Sequence, residues 1–191
     1  LVSAQWCDGA GFDNVLGGAL AARRLLEAGH TRIGCISGDG REGSANRRRR
    51  GFADVLEQAG VPLESVLDVA GDYRFDGGYA ATAAMVDNGA TAVFCCNDLM
   101  AMGLLRGLRE RGLSVPADMS VIGYDNIMES FGIQIEVTTV EQDVAQLARA
   151  AWELLSARIG APGEGHPWLA EPRTRVLAPC LVDKGSVRDL R

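Results

Sequence analysis

The stretch Ala92 to Asn126, AVFCCNDLMAMGLLRGLRERGLSVPADMSVIGYDN, restricts the fold more than any other part of the sequence. Val93 to Cys96 form a short apolar run that stops at Asn97-Asp98. Leu99 to Arg111 carry apolar residues at three- and four-residue spacing, and Met119 to Tyr124 form a second apolar run that stops at Asp125-Asn126. The order strand, helix, strand with a helical crossover requires a parallel pair, because parallel neighbours need a connection long enough to return to the same end.

The rest of the chain repeats that theme. Asp13 is placed to cap a helix from Asn14 to about Ala28, ended by Gly29, and Ile33 to Ile36 reads as a buried strand. A helix from about Ala45 to Ala59 follows, then a strand over Val66 to Ala70 and a helix over Asp76 to Asp87. Pro62 and Pro116 read as turn residues. After Asp125 the pattern loosens: Ile133 to Val140 is extended, and Gln142 to Ile159 is helical with Val144, Leu147, Ala148, Ala151 and Leu155 on one face. A Gly/Pro-rich loop with His166 and Trp168 precedes a β-like stretch from Thr174 to Val182, which Pro179 marks as an edge or crossing strand. Alternation of this kind predicts an α/β fold with parallel sheet.

At 191 residues and 47% hydrophobic, the chain can bury a core. No apolar run approaches the ~20 residues of a membrane span, and LVSAQWCDGA lacks the features of a secretory signal. Of the five cysteines, Cys35, Cys95 and Cys96 lie inside apolar runs, as buried thiols of a reducing, cytoplasmic compartment do. Ligand-spaced Cys/His pairs are missing from the sequence, so no metal or other cofactor is expected. The net charge of −6 disfavours direct nucleic-acid binding, and the run Arg47 to Arg50 cannot serve one surface because consecutive helical residues point in different directions.

Polar residues gather at the carboxyl ends of the predicted strands, where open α/β sheets bind ligands. Ser37, Glu42, Ser44 and Arg48 follow the first strand, Tyr73 the next, then Asn97 and Asp125. A cation, a carboxylate, an amide and an aromatic face together suit a neutral polyhydroxylated ligand such as a sugar. Helix capping alone is a competing role for Asn97 or Asp98, and a turn for Asp125. Arg48, placed in the first turn of its helix, opposes the macrodipole and needs a compensating partner. Replacing Arg48 or Asp125 with alanine is expected to remove ligand binding and leave the fold intact. Catalytic alternatives are thin: His30 is expected to meet the last carbonyls of the first helix, and Gly38 to Ser44 lacks the lysine of a phosphate loop.

DNVLGGALAARRLLEAGHTRIGCISG, RRRRGFADVLEQAGV, CCNDLMAMGLLRGLRERGLSVPADMSVIGYDN, VTTVEQDVAQLARAAWELL and LVDKGSV resemble, in that order, the effector-binding domain of LacI/GalR-family transcriptional regulators. The resemblance covers nearly the whole chain. It implies a periplasmic-binding-protein-like fold of two Rossmann-like subdomains with parallel sheets, the first incomplete here, and an effector, sugar-like in chemistry, between them. By motif it assigns effector contacts to Arg48, Asp125, Asn97, Tyr73, Asp13 and Ser44, and a homodimer interface to the helix carrying Leu99, Met102 and Leu105. It implies residues 1–36 in the first subdomain, 37–124 in the second, a return to the first over 125–160 and a crossing tail over 161–191. Operator DNA would be bound only through a helix-turn-helix headpiece that these residues do not contain, so the chain is expected to be truncated, with apolar surface of its first subdomain exposed or covered by a partner. The sequence departs from the family at Gln134 to Val137, where Pro-Leu is usual, and at Lys184, where arginine is usual. A periplasmic sugar-binding protein is the alternative; an enzyme is disfavoured.

Overall fold

A computed structural model describes residues 7–38, 43–61, 66–127, 136–159 and 171–191. Glu42, Pro62, Gln134, His166 and Trp168 lie outside the described residues. The elements are β1 (Gly9–Phe12), α1 (Asn14–Glu27), β2 (Ile33–Ser37), α2 (Gly43–Gln58), β3 (Val66–Ala70), α3 (Phe75–Asp87), β4 (Ala92–Cys95), α4 (Asp98–Glu110), β5 (Ser120–Asp125), β6 (Thr138–Glu141), α5 (Val144–Ile159), β7 (Thr174–Leu177) and β8 (Cys180–Val182).

Six strands form one sheet in the order β3-β2-β4-β5-β6-β8, parallel throughout except for β8. Strands β2 and β4 are buried along their whole length and β5 as far as Tyr124, because helices cover both faces. Phe52 of α2 stacks on Phe94 at 4.8 Å on one face, while Met85 of α3 lies against Gly34 on the other. On each face two helices touch through glycine. A Cβ on Gly18 or Gly51 would strike the backbone of Arg48 or Val15 where α1 meets α2, and one on Gly78 or Gly103 would strike the backbone where α3 meets α4. These close approaches press Arg48 down toward the sheet on one side and anchor α4 on the other.

The expected subdomain limits cut this sheet. Ile33–Ser37 lies between β3 and β4, and Thr138–Glu141 pairs with β5, so neither belongs to a first subdomain ending at residue 36 or resuming at 125. What stands apart is the parallel pair β1 and β7, with α5 against β1. Asp8 ties that group together, accepting from Arg158 at 2.5 Å and Arg173 at 2.7 Å, and the two guanidiniums hold its carboxyl far below the usual carboxylate range. The buried side of α5 is Ala150 and Leu154, not the face expected from spacing; Val144, Trp152, Leu155 and Ile159 are exposed instead. Pro179 separates β7 from β8, which lie in different sheets.

His30 meets the end of α1 as expected only through its backbone, whose N–H donates to the Leu25 carbonyl at 3.1 Å. Its ring ignores the helix carbonyls: Nδ1 pairs with Thr91 Oγ1 and Nε2 with Ser120 Oγ, each at 2.9 Å, and the residue is fully buried. Burial lowers its pKa below 6.5; Arg188, Arg24 and Asp189 are the charged groups around it. The unfolded chain therefore binds the proton more readily, and the stability His30 contributes is present above pH 6.5 and is lost as pH falls from there toward the lowered value. Between pH 7 and pH 5 the melting temperature of the wild type should fall relative to that of His30→Gln, which lacks this titration. An unchanged slope in the variant would count against the assignment.

Candidate functional site

In chain order β2 leads to β3 on one side and, through α3, to β4 on the other, so the winding reverses between β2 and β4. Crevices at such a reversal, beyond the carboxyl ends of the strands, are where open α/β sheets hold ligands. Arg48 occupies this one.

Helix α2 begins at Gly43, two residues earlier than expected, so Arg48 lies in its second turn and the macrodipole argument loses its force. The compensation is nonetheless present. Arg48 Nε donates to Asn14 Oδ1 at 2.8 Å, Nη1 to the Cys96 carbonyl at 2.6 Å and Nη2 to Gln142 Oε1 at 3.4 Å. Nη2 also lies 3.4 Å from Asp125 Oδ1, and the guanidinium sits 3.7 Å over the Tyr124 ring. One buried cation thus joins α1, β4, β5 and the end of β6. Five N–H groups against these acceptors leave donor capacity for a ligand.

Asp125 keeps 26% of its side chain exposed, yet burial pushes its carboxyl up to about 6 against the pull of Arg48, with the charge of Asp98 adding to the rise. Its backbone has φ 106°, Asn126 has φ 57° and Tyr73 has φ 62°. Left-handed backbone at non-glycine residues is rare and is retained where surrounding contacts enforce it, often at functional sites. Burial likewise pushes the Tyr124 phenol up to about 12. Fully buried Asp98 has its carboxyl raised by desolvation and partly pulled back by its hydrogen bonds.

The other expected residues divide. Asn97 is the N-cap of α4: Oδ1 accepts from Met100 N at 2.9 Å, and Nδ2 donates to the Tyr73 carbonyl at the same distance, which holds the Tyr73 turn. Tyr73 is half-buried, its ring lying against Gly38, where a Cβ would collide with it. Asp13 caps α1 through Leu16 N at 3.0 Å, and its backbone N–H donates to Leu177 O, at the junction with β7. Ser44 is half-buried at the second residue of α2. Arg48 and Asp125 thus meet directly, Asn97 and Tyr73 are bonded to each other at the neighbouring strand ends, and Asp13 stands at the junction with β7.

Sequence reasoning missed Asn14, Gln142 and Tyr124. Gln142 follows β6 just as Asn97 follows β4, so the rule of polar residues at strand ends finds it once Thr138–Glu141 is recognised as a strand of the same sheet. Asn14 gives no such signal, since an amide at a helix start reads as capping.

On the opposite flank, Leu99, Met102 and Leu105 share the outward side of α4, half-buried, beside the stacked pair Phe75 and Tyr79, whose rings are 6.5 Å apart. Tyr79 donates to Glu110, which also pairs with Arg106 at 2.6 Å. A groove of about 520 Å³ bordered by Leu105, Arg109, Leu113, Val115 and Pro116 continues this surface and lies away from Arg48.

His30 and Ser120 are 2.9 Å apart, but both are fully buried and the other imidazole nitrogen meets a hydroxyl rather than a carboxylate. The described residues include no cluster of three or more His, Cys, Asp or Glu able to hold a metal ion.

Residues 22–187 match the family described as periplasmic binding protein-like domain. The chain is 33% identical to the ribose operon repressor of Haemophilus influenzae over 94% of its own length and 53% of the relative's. It is 38% identical to the HTH-type transcriptional repressor PurR of Yersinia pestis, over 93% of the chain and 51% of the relative. It therefore spans about half the length of these relatives. Among solved structures, a LacI-family transcriptional regulator from Enterococcus faecium with bound ribose superposes with a TM-score of 0.86 at 33% identity, covering 96% of this chain and 66% of that one.

Proposed function

Because the chain belongs to the periplasmic binding protein-like domain family, in the form carried by LacI-family regulators, we propose that it is the effector-sensing part of a transcriptional regulator. The effector is a small polyhydroxylated molecule, a sugar, held in the crevice between the large sheet and the β1, β7 and α5 group. The observation that carries this reading is the buried guanidinium of Arg48, 3.4 Å from the Asp125 carboxylate at the winding reversal. Arg48, Asp125, Asn97 and Gln142 supply donors and acceptors, Tyr73 an aromatic face, with Asp13 and Ser44 at the rim. Asn97 keeps one N–H and one lone pair beyond its structural bonds.

Binding would change how the two groups meet and thereby control operator binding by a headpiece outside these 191 residues. The bound ribose of the Enterococcus faecium regulator favours a pentose or related sugar. A cytoplasmic location fits the buried free thiols Cys35, Cys95 and Cys96. No described helix is long and apolar enough to cross a membrane. Repressor relatives favour this reading over a periplasmic sugar-binding protein and over an enzyme.

A thermal-shift screen of pentoses, hexoses, disaccharides and purines tests the proposal. At a hundredfold excess over Kd, a ligand of the folded state stabilises by about 2.7 kcal/mol, a rise of roughly 5–10 °C for a chain of this size. One sugar should give that rise, and Asp125→Asn should cut it by about half or more. An undiminished rise in the variant would move the site elsewhere.

The face of Leu99, Met102 and Leu105 is the proposed contact with a second copy. Met102→Glu places a charge at its centre and should turn a dimer into a monomer by sedimentation at micromolar concentration. A variant with the wild type's sedimentation coefficient would remove α4 from the interface.

A further inference from the structure

The turn Asp125–Ile127 is held from three directions. Ile127 N donates to Asp98 Oδ2 at 2.9 Å. Asn126 N donates to Thr139 Oγ1 at 3.4 Å, and Thr139 Oγ1 in turn donates to Asp98 Oδ1 at 2.9 Å. The Asn126 side chain donates to Glu141 Oε1 at 3.0 Å and accepts from Lys184 Nζ at 2.8 Å. Two consecutive residues with positive φ need this degree of support, since such conformations cost of order 1–3 kcal/mol each.

Asp98 is the first residue of α4, where a carboxylate is ordinarily explained by helix electrostatics. That explanation is insufficient here. Asn97 already caps the helix, and both Asp98 oxygens turn away from α4 to β6 and to the turn after β5. The residue is fully buried, and Gly123 leaves the room it needs, since a Cβ there would collide with Oδ1.

We infer that Asp98 is a positioning residue: it fixes the left-handed turn that aims Asp125 at Arg48, and it joins that turn rigidly to α4. The inference rests on the effector reading for its consequence, because a ligand that moves Asp125 pulls through Asp98 on the helix whose outer face carries Leu99, Met102 and Leu105. Asp98 touches no ligand itself. Lys184 contributes to the same clamp, which gives the departure from arginine at that position a structural role.

The test uses the 191-residue chain with two readouts, amide hydrogen exchange and calorimetric titration with D-ribose. Asp98→Ala should speed exchange at Asn126 and Ile127 tenfold or more while amides inside β4 and α4 keep their protection. Asp98→Asn, which retains an acceptor for Ile127 N, should stay within about threefold of wild type. Ribose affinity should fall about tenfold in the alanine variant and recover in the asparagine variant. Unchanged exchange at Ile127 in Asp98→Ala, equal acceleration of all three segments, or an asparagine variant as fast as the alanine one would each overturn the inference. If Asp98→Ala does not fold, Thr139→Val should show the same local acceleration, and its absence overturns the inference too. A wild-type chain that does not bind ribose removes only that effector; the exchange result still decides the role of Asp98.

Discussion

Replacing Arg48 with alanine is expected to abolish effector binding and also to destabilise the protein, by about 3 kcal/mol. The sequence alone suggested loss of binding in an intact fold, and the structure changes that expectation. Arg48 is 7% exposed and is the donor shared by Asn14 Oδ1, the Cys96 carbonyl, Gln142 Oε1 and Asp125. Removing it leaves the Cys96 carbonyl and two amide oxygens without this donor and Asp125 without its counter-charge, and an unpaired buried group costs more than a lost hydrogen bond. For a chain of this length the melting temperature should fall by roughly 6–12 °C. Arg48→Lys should retain the charge but not the fork, and should recover less than half of the loss. Differential scanning calorimetry beside an effector titration measures both effects, and a variant with wild-type stability would show that the buried hydrogen bonds are dispensable.

Asp125→Asn should act in the opposite direction on stability. The carboxyl of Asp125 is raised to about 6, well above its usual range near 3.9, so the folded state favours the protonated form. The stability that protonation provides is fully present below pH 4 and is lost as pH rises through about 6, leaving a cost at neutral pH of at most about 3 kcal/mol. Asparagine resembles the protonated acid and avoids that cost. At pH 7.5 the variant should therefore melt higher than the wild type, the difference should vanish by about pH 4, and the effector should bind at least tenfold more weakly at neutral pH. For the same reason wild-type affinity for a sugar should decline as pH falls below 6, because the protonated carboxyl loses half of its acceptor role. A melting temperature that falls at pH 7.5 would mean that the pairing with Arg48 outweighs burial. Stability given up at a ligand contact is the pattern expected where a site is tuned for binding.

The sequence made the scaffold legible because its signals are local. Apolar runs, caps such as Asp13 and Asn97, and glycine stops such as Gly29 and Gly112 act within a few residues of themselves, and each marks an element that the structure contains. Polar stops at strand ends pointed to Arg48, Asn97, Tyr73 and Asp125; Tyr73, Asn97 and Asp125 do stand at the carboxyl ends of β3, β4 and β5, and Arg48 reaches the last two. Strand β1 was not legible: GAGF has two glycines and no alternation, and it is a strand because β7 pairs with it from far along the chain. The inner face of α5 was misread for a related reason. A 16-residue helix with apolar residues around most of its circumference does not state which side meets a neighbour.

What the sequence determined by itself was therefore the alternation of strands and helices, the parallel sheet it requires, and the rim of strand ends on which polar residues are set. Tertiary structure alone decided which sheet each strand joins, that Arg48 is shared among four elements, and that Asp98 holds the turn after β5 rather than the helix it begins. The physical reason is range. Caps, periodicity and turns are energies of neighbouring residues, whereas strand pairing, desolvation and the meeting of buried charges depend on residues brought together only when the chain has closed on itself.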